Sequence, residues 1–274
     1  MPTTLLMYHE ISNQPEGLKK IRDIDPEYSL DTGQFAGQIA LLREKGYRSA
    51  DLTSLTEGKK SGERRCLITF DDGYIGNYTN AFPVLVENGF KAVFFVAARY
   101  IGSSEYWMSW DQLREMAAQG YSIQSHTWSH PALESLDEEA VLFELAESKR
   151  VIEDEIGQPV HAISLPFGSY NKSLFAIARR AGYSVVLTSS MMSPGKVSNP
   201  AVFGRVPIKA SYSLETFTRL VERERGLVFR MQCAECAKNA IKKTVGINFY
   251  RAIYRRVNRV RVHSLPAGPI DKDT

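Results

Sequence analysis

The stretch Cys66-Leu67-Ile68-Thr69-Phe70-Asp71-Asp72-Gly73-Tyr74 decides how this chain is read. The apolar and β-branched run from Cys66 to Phe70 is the pattern of a fully buried strand. It stops abruptly on two carboxylates and a glycine. Side chains alternate along a strand, so adjacent carboxylates at its end point in different directions. One can hold a cation while the other faces a substrate. By itself the stretch also reads as a plain Asp-Asp-Gly turn closing a strand. His126-Thr127-Trp128-Ser129-His130 changes the balance by supplying two imidazoles four residues apart.

Working outward, one punctuation mark recurs. A helix beginning after Asp31, with Phe35, Ile39 and Leu42 at helical spacing, stops at Gly46. A helix through Ala81–Asn88 stops at Gly89 and leads to a strand at Ala92–Val96. A helix capped by Ser109 stops at Gly120 before a strand at Tyr121–Gln124. A helix from Asp137 to Ile156 stops at Gly157 before a strand at Val160–Leu165. A helix from Lys172 to Ala181 stops at Gly182 before a strand at Tyr183–Leu187. Glycine at the helix C′ position followed by a strand is the αβ half of a βα unit. Repetition of that unit predicts an α/β fold with parallel strands and helices outside them. Thr3–Tyr8 and Arg205–Ile208 read as further strands, and Leu214–Glu224 as a helix capped by Ser213. About seven strands result, enough to close an irregular barrel.

The reactive side chains fall at corresponding places. His9 ends the first strand, Asp71 and Asp72 the second, and His126 and His130 follow the strand at Tyr121–Gln124. Pro166-Phe167-Gly168 ends the strand at Val160–Leu165. In parallel α/β folds the carboxyl ends of the strands share one face, where sites are built. His-x-x-x-His is expected to set both imidazoles on one side of a helical turn. Two neutral histidines and one carboxylate make a three-ligand set with an open position for water. The second carboxylate is then placed to take that water's proton. The plain alternative is a pair of loop histidines bonded to backbone. Trp110 and Trp128 could stack on a sugar or sit in the core, and His161 reads as structural.

Thr69-Phe70-Asp71-Asp72-Gly73, His126-Thr127-Trp128-Ser129-His130 and Leu165-Pro166-Phe167-Gly168-Ser169-Tyr170-Asn171 resemble the first three motifs of the polysaccharide deacetylases, the NodB-homology or carbohydrate esterase 4 group. The resemblance spans about residues 3–225. It implies a distorted (β/α)7 barrel that hydrolyses an N-acetyl group from an N-acetylhexosamine. It implies one divalent ion, zinc first with nickel, cobalt or manganese as alternatives, held by Asp72, His126 and His130. It implies Asp71 as general base, the Phe167 N–H as oxyanion donor, and Pro166, Gly168 and Tyr170 as substrate contacts. Two departures stand out. The arginine that often opens the third motif and orients the base is replaced by Ser164. The Leu-x-His near the last strands is missing, since no histidine lies between His161 and His263. Both departures, and the early Tyr8-His9, resemble the poly-N-acetylglucosamine deacetylase branch, which points to His9 as replacement acid or oxyanion partner. The same fold also hydrolyses cyclic imides, ureides or formamides, and a non-catalytic glycan-binding module is a reading of another class. Asp71 argues against the module, which has no need of a base.

Composition bounds the rest. The chain has 274 residues, 43% hydrophobic and 24% charged, with a formal net charge of +3. Residues 226–263 carry nine Lys/Arg against one acid, whereas residues 1–225 carry 24 basic and 28 acidic side chains. The expected organisation is a catalytic domain over 1–225 and a basic, helical extension over 226–274. Its interleaved charges and apolar residues suit an amphipathic helix on an anionic membrane surface, or a helix packed on the barrel. Nucleic-acid binding is disfavoured for lack of a recognition fold. Three cysteines exclude a disulfide scaffold, and Cys233-x-x-Cys236 lacks a second pair to complete a metal site. With no basic n-region, no adequate apolar h-region and no apolar span, the chain as written is expected in the cytoplasm, at most peripheral to the inner membrane face. Surface-polysaccharide biosynthesis is the expected setting.

Overall fold

The computed structural model describes residues 3–14, 25–57, 62–168, 172–191 and 199–245. Eight strands run in the order β10-β9-β8-β7-β6-β5-β1-β11, and every pairing between neighbours is parallel. They are β1 (Thr4–Tyr8), β5 (Arg65–Phe70), β6 (Ala92–Val96), β7 (Ser122–Ser125), β8 (Ala162–Ser164), β9 (Val185–Thr188), β10 (Ala201–Gly204) and β11 (Val206–Pro207). The short β4 (Arg48–Ser49) pairs beside the start of β5. A separate two-stranded sheet joins β2 (Glu10–Ser12) to β3 (Ser29–Asp31), strands that the sequence does not predict.

The expected strand at Arg205–Ile208 is the two-residue β11, and an unexpected strand, β10, precedes it with only Arg205 between them. β10 is one edge of the sheet and β11 is the other. Arg205 alone links them, so the chain itself carries one edge round to the other and nearly closes the barrel. The count on the barrel path is therefore eight rather than seven.

The helices form as their caps dictate. Asp31 accepts the Gly33 and Gln34 N–H groups at the start of α1 (Thr32–Glu44). After α2 (Leu52–Thr56) and α3 (Phe82–Asn88), Ser109 and Gln112 form a capping box on α4 (Trp110–Ala118). Asp137 caps α5 (Glu138–Ile156), which ends on left-handed Gly157. α6 (Lys172–Arg180), α7 (Leu214–Val221, capped by Ser213) and α8 (Arg225–Val245) complete the order. A capping bond of this kind stabilises a helix by about 1 kcal/mol.

Strand alternation splits the apolar residues into two clusters. Cys66, Ile68 and Phe70 face the helices, against Phe35, Leu85 and Leu113. Leu67 lies on the other face with Leu5, Val93, Phe95, Ala162, Val185 and Leu187 and fills the barrel interior. By the same alternation Thr69 and Asp71 continue that inner line. Trp110 and Trp128 pack against the outer core, and Trp107 stacks with Tyr74 and Tyr100, with ring centroids 4.7 and 4.9 Å away. Cys66 is buried and burial pushes its thiol up to about 12, whereas Cys233 and Cys236 are exposed on α8. Residues 246–274, which hold most of the basic extension, lie outside the described residues. No helix among the described residues is long and apolar enough to cross a membrane.

Candidate active site

Every candidate side chain among the described residues lies at or after the carboxyl end of a barrel strand. Asp71 follows β5, where its N–H donates to the Tyr8 carbonyl at 3.0 Å. Asp72 leaves the strand line with φ 75°, and this turn aims its carboxylate away from Asp71. His126 follows β7. Its N–H donates to the Val96 carbonyl, and its Nδ1 lies 2.8 Å from the Ser164 carbonyl. An N–H at Nδ1 leaves Nε2 as a lone-pair donor to a cation.

Asp72 Oδ1 lies 3.3 Å from His126 Nε2 and 3.3 Å from His130 Nε2. The oxygen is buried without a hydrogen-bond donor. Ligands about 2.1 Å from a tetrahedral ion lie about 3.4 Å apart. These atoms therefore suit a divalent ion, and no other such group of His, Cys, Asp and Glu occurs among the described residues. Burial pushes the His130 imidazole down to about 4, leaving it neutral, as a ligand must be. Burial also opposes charge on His126, but Asp71 and Asp72 outweigh it and raise its pKa. Burial works to raise the Asp72 carboxyl, but the adjoining His126 and His130 imidazoles outweigh it and hold it below the usual range.

The His-x-x-x-His segment is a loop rather than the expected helical turn. Thr127 and His130 adopt φ 70° and 57°, and this left-handed path brings the imidazoles to ring centroids 4.8 Å apart. Left-handed geometry is rare for a β-branched residue and needs support from its surroundings.

Ser164 leaves Asp71 without the family arginine in its usual place, yet Asp71 has an arginine. Arg205, between β10 and β11, donates Nη1 to Asp71 Oδ1 and Nη2 to Oδ2, both at 2.7 Å. Nη2 also donates to Ser164 Oγ at 2.7 Å, and Ser164 Oγ to Asp71 Oδ2 at 3.0 Å. Nη1 reaches Thr69 Oγ1 and Nε the Thr188 carbonyl. Arg205 is 1% exposed and is the largest fully buried side chain among the described residues. Burial alone would raise the Asp71 pKa, but Arg205 outweighs it and the carboxyl stays ionised. A carboxylate has about four acceptor positions. Arg205 and Ser164 use three, so one position on Oδ1 remains for a water. The sequence held one clue to Arg205, an arginine opening the expected strand Arg205–Ile208, where burial demands a partner.

His9 ends β1. Its carbonyl accepts from Asn77 Nδ2 at 2.6 Å, and its ring stands 4.9 Å from that of Tyr28. Its Nδ1 is buried without a hydrogen-bond partner among the described residues. His9 is close enough to influence Asp71, Asp72 and His130 electrostatically. Pro166 is buried, and Phe167 is 49% exposed with φ 60° and its ring 4.8 Å from that of His130. Gly168 is obligatory: its φ is 64°, and a Cβ there would lie 1.7 Å from Ser189 Oγ. Tyr170 lies outside the described residues.

Known proteins resemble this chain in sequence and in fold. Residues 58–186 match the sequence profile "Polysaccharide deacetylase". YxkH of Bacillus subtilis, named for the same family, is 31% identical over 223 residues, 80% of this chain and 75% of that one. The poly-β-1,6-N-acetyl-D-glucosamine N-deacetylase of Escherichia coli K12 is 30% identical over 120 residues, 37% of this chain but only 18% of that protein. The Streptococcus pyogenes deacetylase PplD, solved with acetate, superposes with TM-score 0.71 at 24% identity over 80% of this chain and 97% of that one. IcaB of Ammonifex degensii superposes with TM-score 0.63 at 22% identity over 80% and 95%. At such identities these two speak to the fold alone. With paired aspartates, two histidines and a turn at Pro166 gathered at one mouth of a parallel barrel, and a relative this similar over most of both chains, the chain belongs to the polysaccharide deacetylase family of carbohydrate deacetylases.

Proposed function

We propose that this protein is a metal-dependent N-deacetylase acting on an N-acetylhexosamine unit during surface-polysaccharide synthesis. The single observation that supports it best is the separation of roles between adjacent carboxylates. Asp72 Oδ1 faces two imidazole nitrogens, while Asp71 is bound by Arg205 and keeps one acceptor position. A glycan-binding module has no use for a buried, arginine-held carboxylate beside a ligand set.

Asp72, His126 and His130 would hold the ion, zinc or another first-row divalent cation, which lowers the pKa of a water and polarises the acyl carbonyl. Asp71 accepts the proton of the attacking water on Oδ1, and Arg205 and Ser164 keep that carboxylate from turning. The Phe167 N–H donates to the oxygen that becomes negative in the tetrahedral intermediate. His9 then gives a proton to the leaving amine as the C–N bond breaks, yielding acetate and the free amino sugar. Pro166 and Gly168 shape the floor on which the acyl group rests. A fold of this kind also accepts cyclic imides, ureides or formamides, so the substrate is decided by assay. Sugar linkage to a lipid or a nucleotide fits a basic extension that lies against an anionic surface.

Acetate release from N-acetylglucosamine oligomers and from lipid- and nucleotide-linked aminosugars, with and without chelator, tests the reading. Chelator-sensitive release is expected. Asp72→Ala and His130→Ala should lose metal and activity together, and stoichiometric metal in both variants would refute the ligand assignment.

A further inference from the structure

We infer that Glu144 is the positioning residue that holds the loop between the two metal-ligand histidines. The inference rests on the metal reading proposed above and extends it to a residue outside every motif of the family resemblance. Glu144 stands in the middle of α5, amid the apolar run Val141–Leu145, and is 8% exposed. One oxygen accepts the Ser129 N–H at 2.8 Å and the other accepts the Ser129 hydroxyl at 2.5 Å. Its backbone carbonyl accepts the Trp128 N–H at 3.0 Å. One helical residue thus fixes two of the three residues that separate His126 from His130.

The remaining backbone groups of that loop are also bonded. The Thr127 N–H donates to Ser125 Oγ, and the Thr127 and Trp128 carbonyls accept from the Ala98 and Arg99 N–H groups. The Ser129 carbonyl accepts from the Tyr100 hydroxyl. Thr127 Oγ1 accepts the His130 N–H at 3.0 Å. Among the side chains that hold the loop only Glu144 is charged, and it takes part in no ion pair among the described residues. Burying a carboxylate is unfavourable unless its oxygens are bonded, and both are committed to Ser129. The loop needs this support because Thr127 and His130 are left-handed. Released from Glu144, the loop relaxes toward ordinary backbone angles and His130 Nε2 moves away from Asp72. His126 is spared, since its own ring is bonded to Ser164. Glu144 therefore acts on metal affinity through His130.

Zinc affinity of the metal-stripped full chain, measured by competition with a chromophoric chelator, tests this, alongside urea unfolding of each apo protein. Glu144→Ala should weaken zinc binding about 10- to 100-fold, the usual cost of losing an outer-shell partner. Ser129→Ala, which keeps the backbone bond, should weaken it about fivefold, one hydrogen bond's worth. Glu144→Gln should stay close to wild type, because its carbonyl accepts the Ser129 N–H and its amide donates to Ser129 Oγ. Unchanged zinc affinity in Glu144→Ala, with lower apo stability, would show a merely structural residue and overturn the inference. Glu144→Gln falling as far as Glu144→Ala would overturn it too, since charge and not hydrogen bonding would then be at work. Should Glu144→Ala fail to fold, Ser129→Ala decides, and unchanged affinity there counts against the inference. Wild-type protein that binds neither zinc nor nickel, cobalt or manganese takes down the metal reading itself, which separates the two failures.

Discussion

At the scale of the residue, Asp71 and Arg205 are one unit. The pair is buried and bidentate, so removing one partner strands the other's charge. Arg205→Met should destabilise the fold by about 3–5 kcal/mol in urea unfolding. The double variant Asp71→Asn/Arg205→Met should lose less than the sum of the singles, because no unpaired charge remains. Strict additivity would show that the two side chains do not interact. Asp71→Asn should keep bound metal yet lower turnover by about 10²–10⁴-fold, the usual contribution of a positioned general base. Metal content and acetate release on the same preparation check this, and near-normal turnover would move the base elsewhere. His9→Ala should lower turnover with metal intact and alter the alkaline limb of the rate profile, as loss of a proton donor requires. An unchanged profile would leave His9 structural.

At the scale of the element, β2 and the turn after Asp72 are locked together. A Cβ on Gly76 would lie 2.0 Å from the Ile11 carbonyl and 2.4 Å from Glu10 Oε1, so the turn packs directly on the strand. Burial pushes the Glu10 carboxyl up to about 8, against the Gly76 and Ile11 N–H groups that favour its ionised form. The folded protein keeps this proton to a higher pH than the unfolded chain, whose ordinary carboxyl value is near 4.5. Between those values unfolding releases the proton, so Glu10 makes stability fall as pH rises, by up to about 1.4 kcal/mol per pH unit. Urea unfolding at pH 5 and at pH 7.5 should show wild type losing more stability than Glu10→Gln across that interval. Equal losses would mean that Glu10 is ionised in the fold. The loop between His126 and His130 shows the same dependence on neighbours, because its left-handed residues hold their angles only through bonds from β6, the turn after it and α5.

At the scale of the whole molecule, the barrel is nearly closed by the chain passing from β10 to β11 through Arg205, so closure and base orientation depend on one residue. α8 touches the body through Glu235, whose Oε2 accepts the Met191 N–H at 3.0 Å. The proposed membrane role is therefore best tested by truncation after Val245, which leaves that contact intact. The shortened chain should no longer sediment with anionic liposomes at low salt but should still hydrolyse a small soluble amide. Full-length protein that ignores such liposomes would end the proposal.

The sequence by itself determined the α/β class, the helix stops at glycine, the caps at Asp31, Ser109 and Ser213, and the grouping of Asp71, Asp72, His126 and His130. Those features depend on local backbone chemistry and on strand ends sharing a face, which residue order encodes directly. Tertiary structure alone decided the rest. The sequence placed the histidines on a helical turn, since spacing of four is helical, but bonds from Ser125, Ala98 and Glu144 impose a loop. It found no arginine for Asp71, because the guanidinium arrives from a link between strands 134 residues away, across a seam that exists only once the sheet curls round. Glu144 lies outside every motif of the sequence. Its role emerged only when α5 packed beside β7, because a hydrogen bond across the fold leaves no mark on the periodicity of either partner.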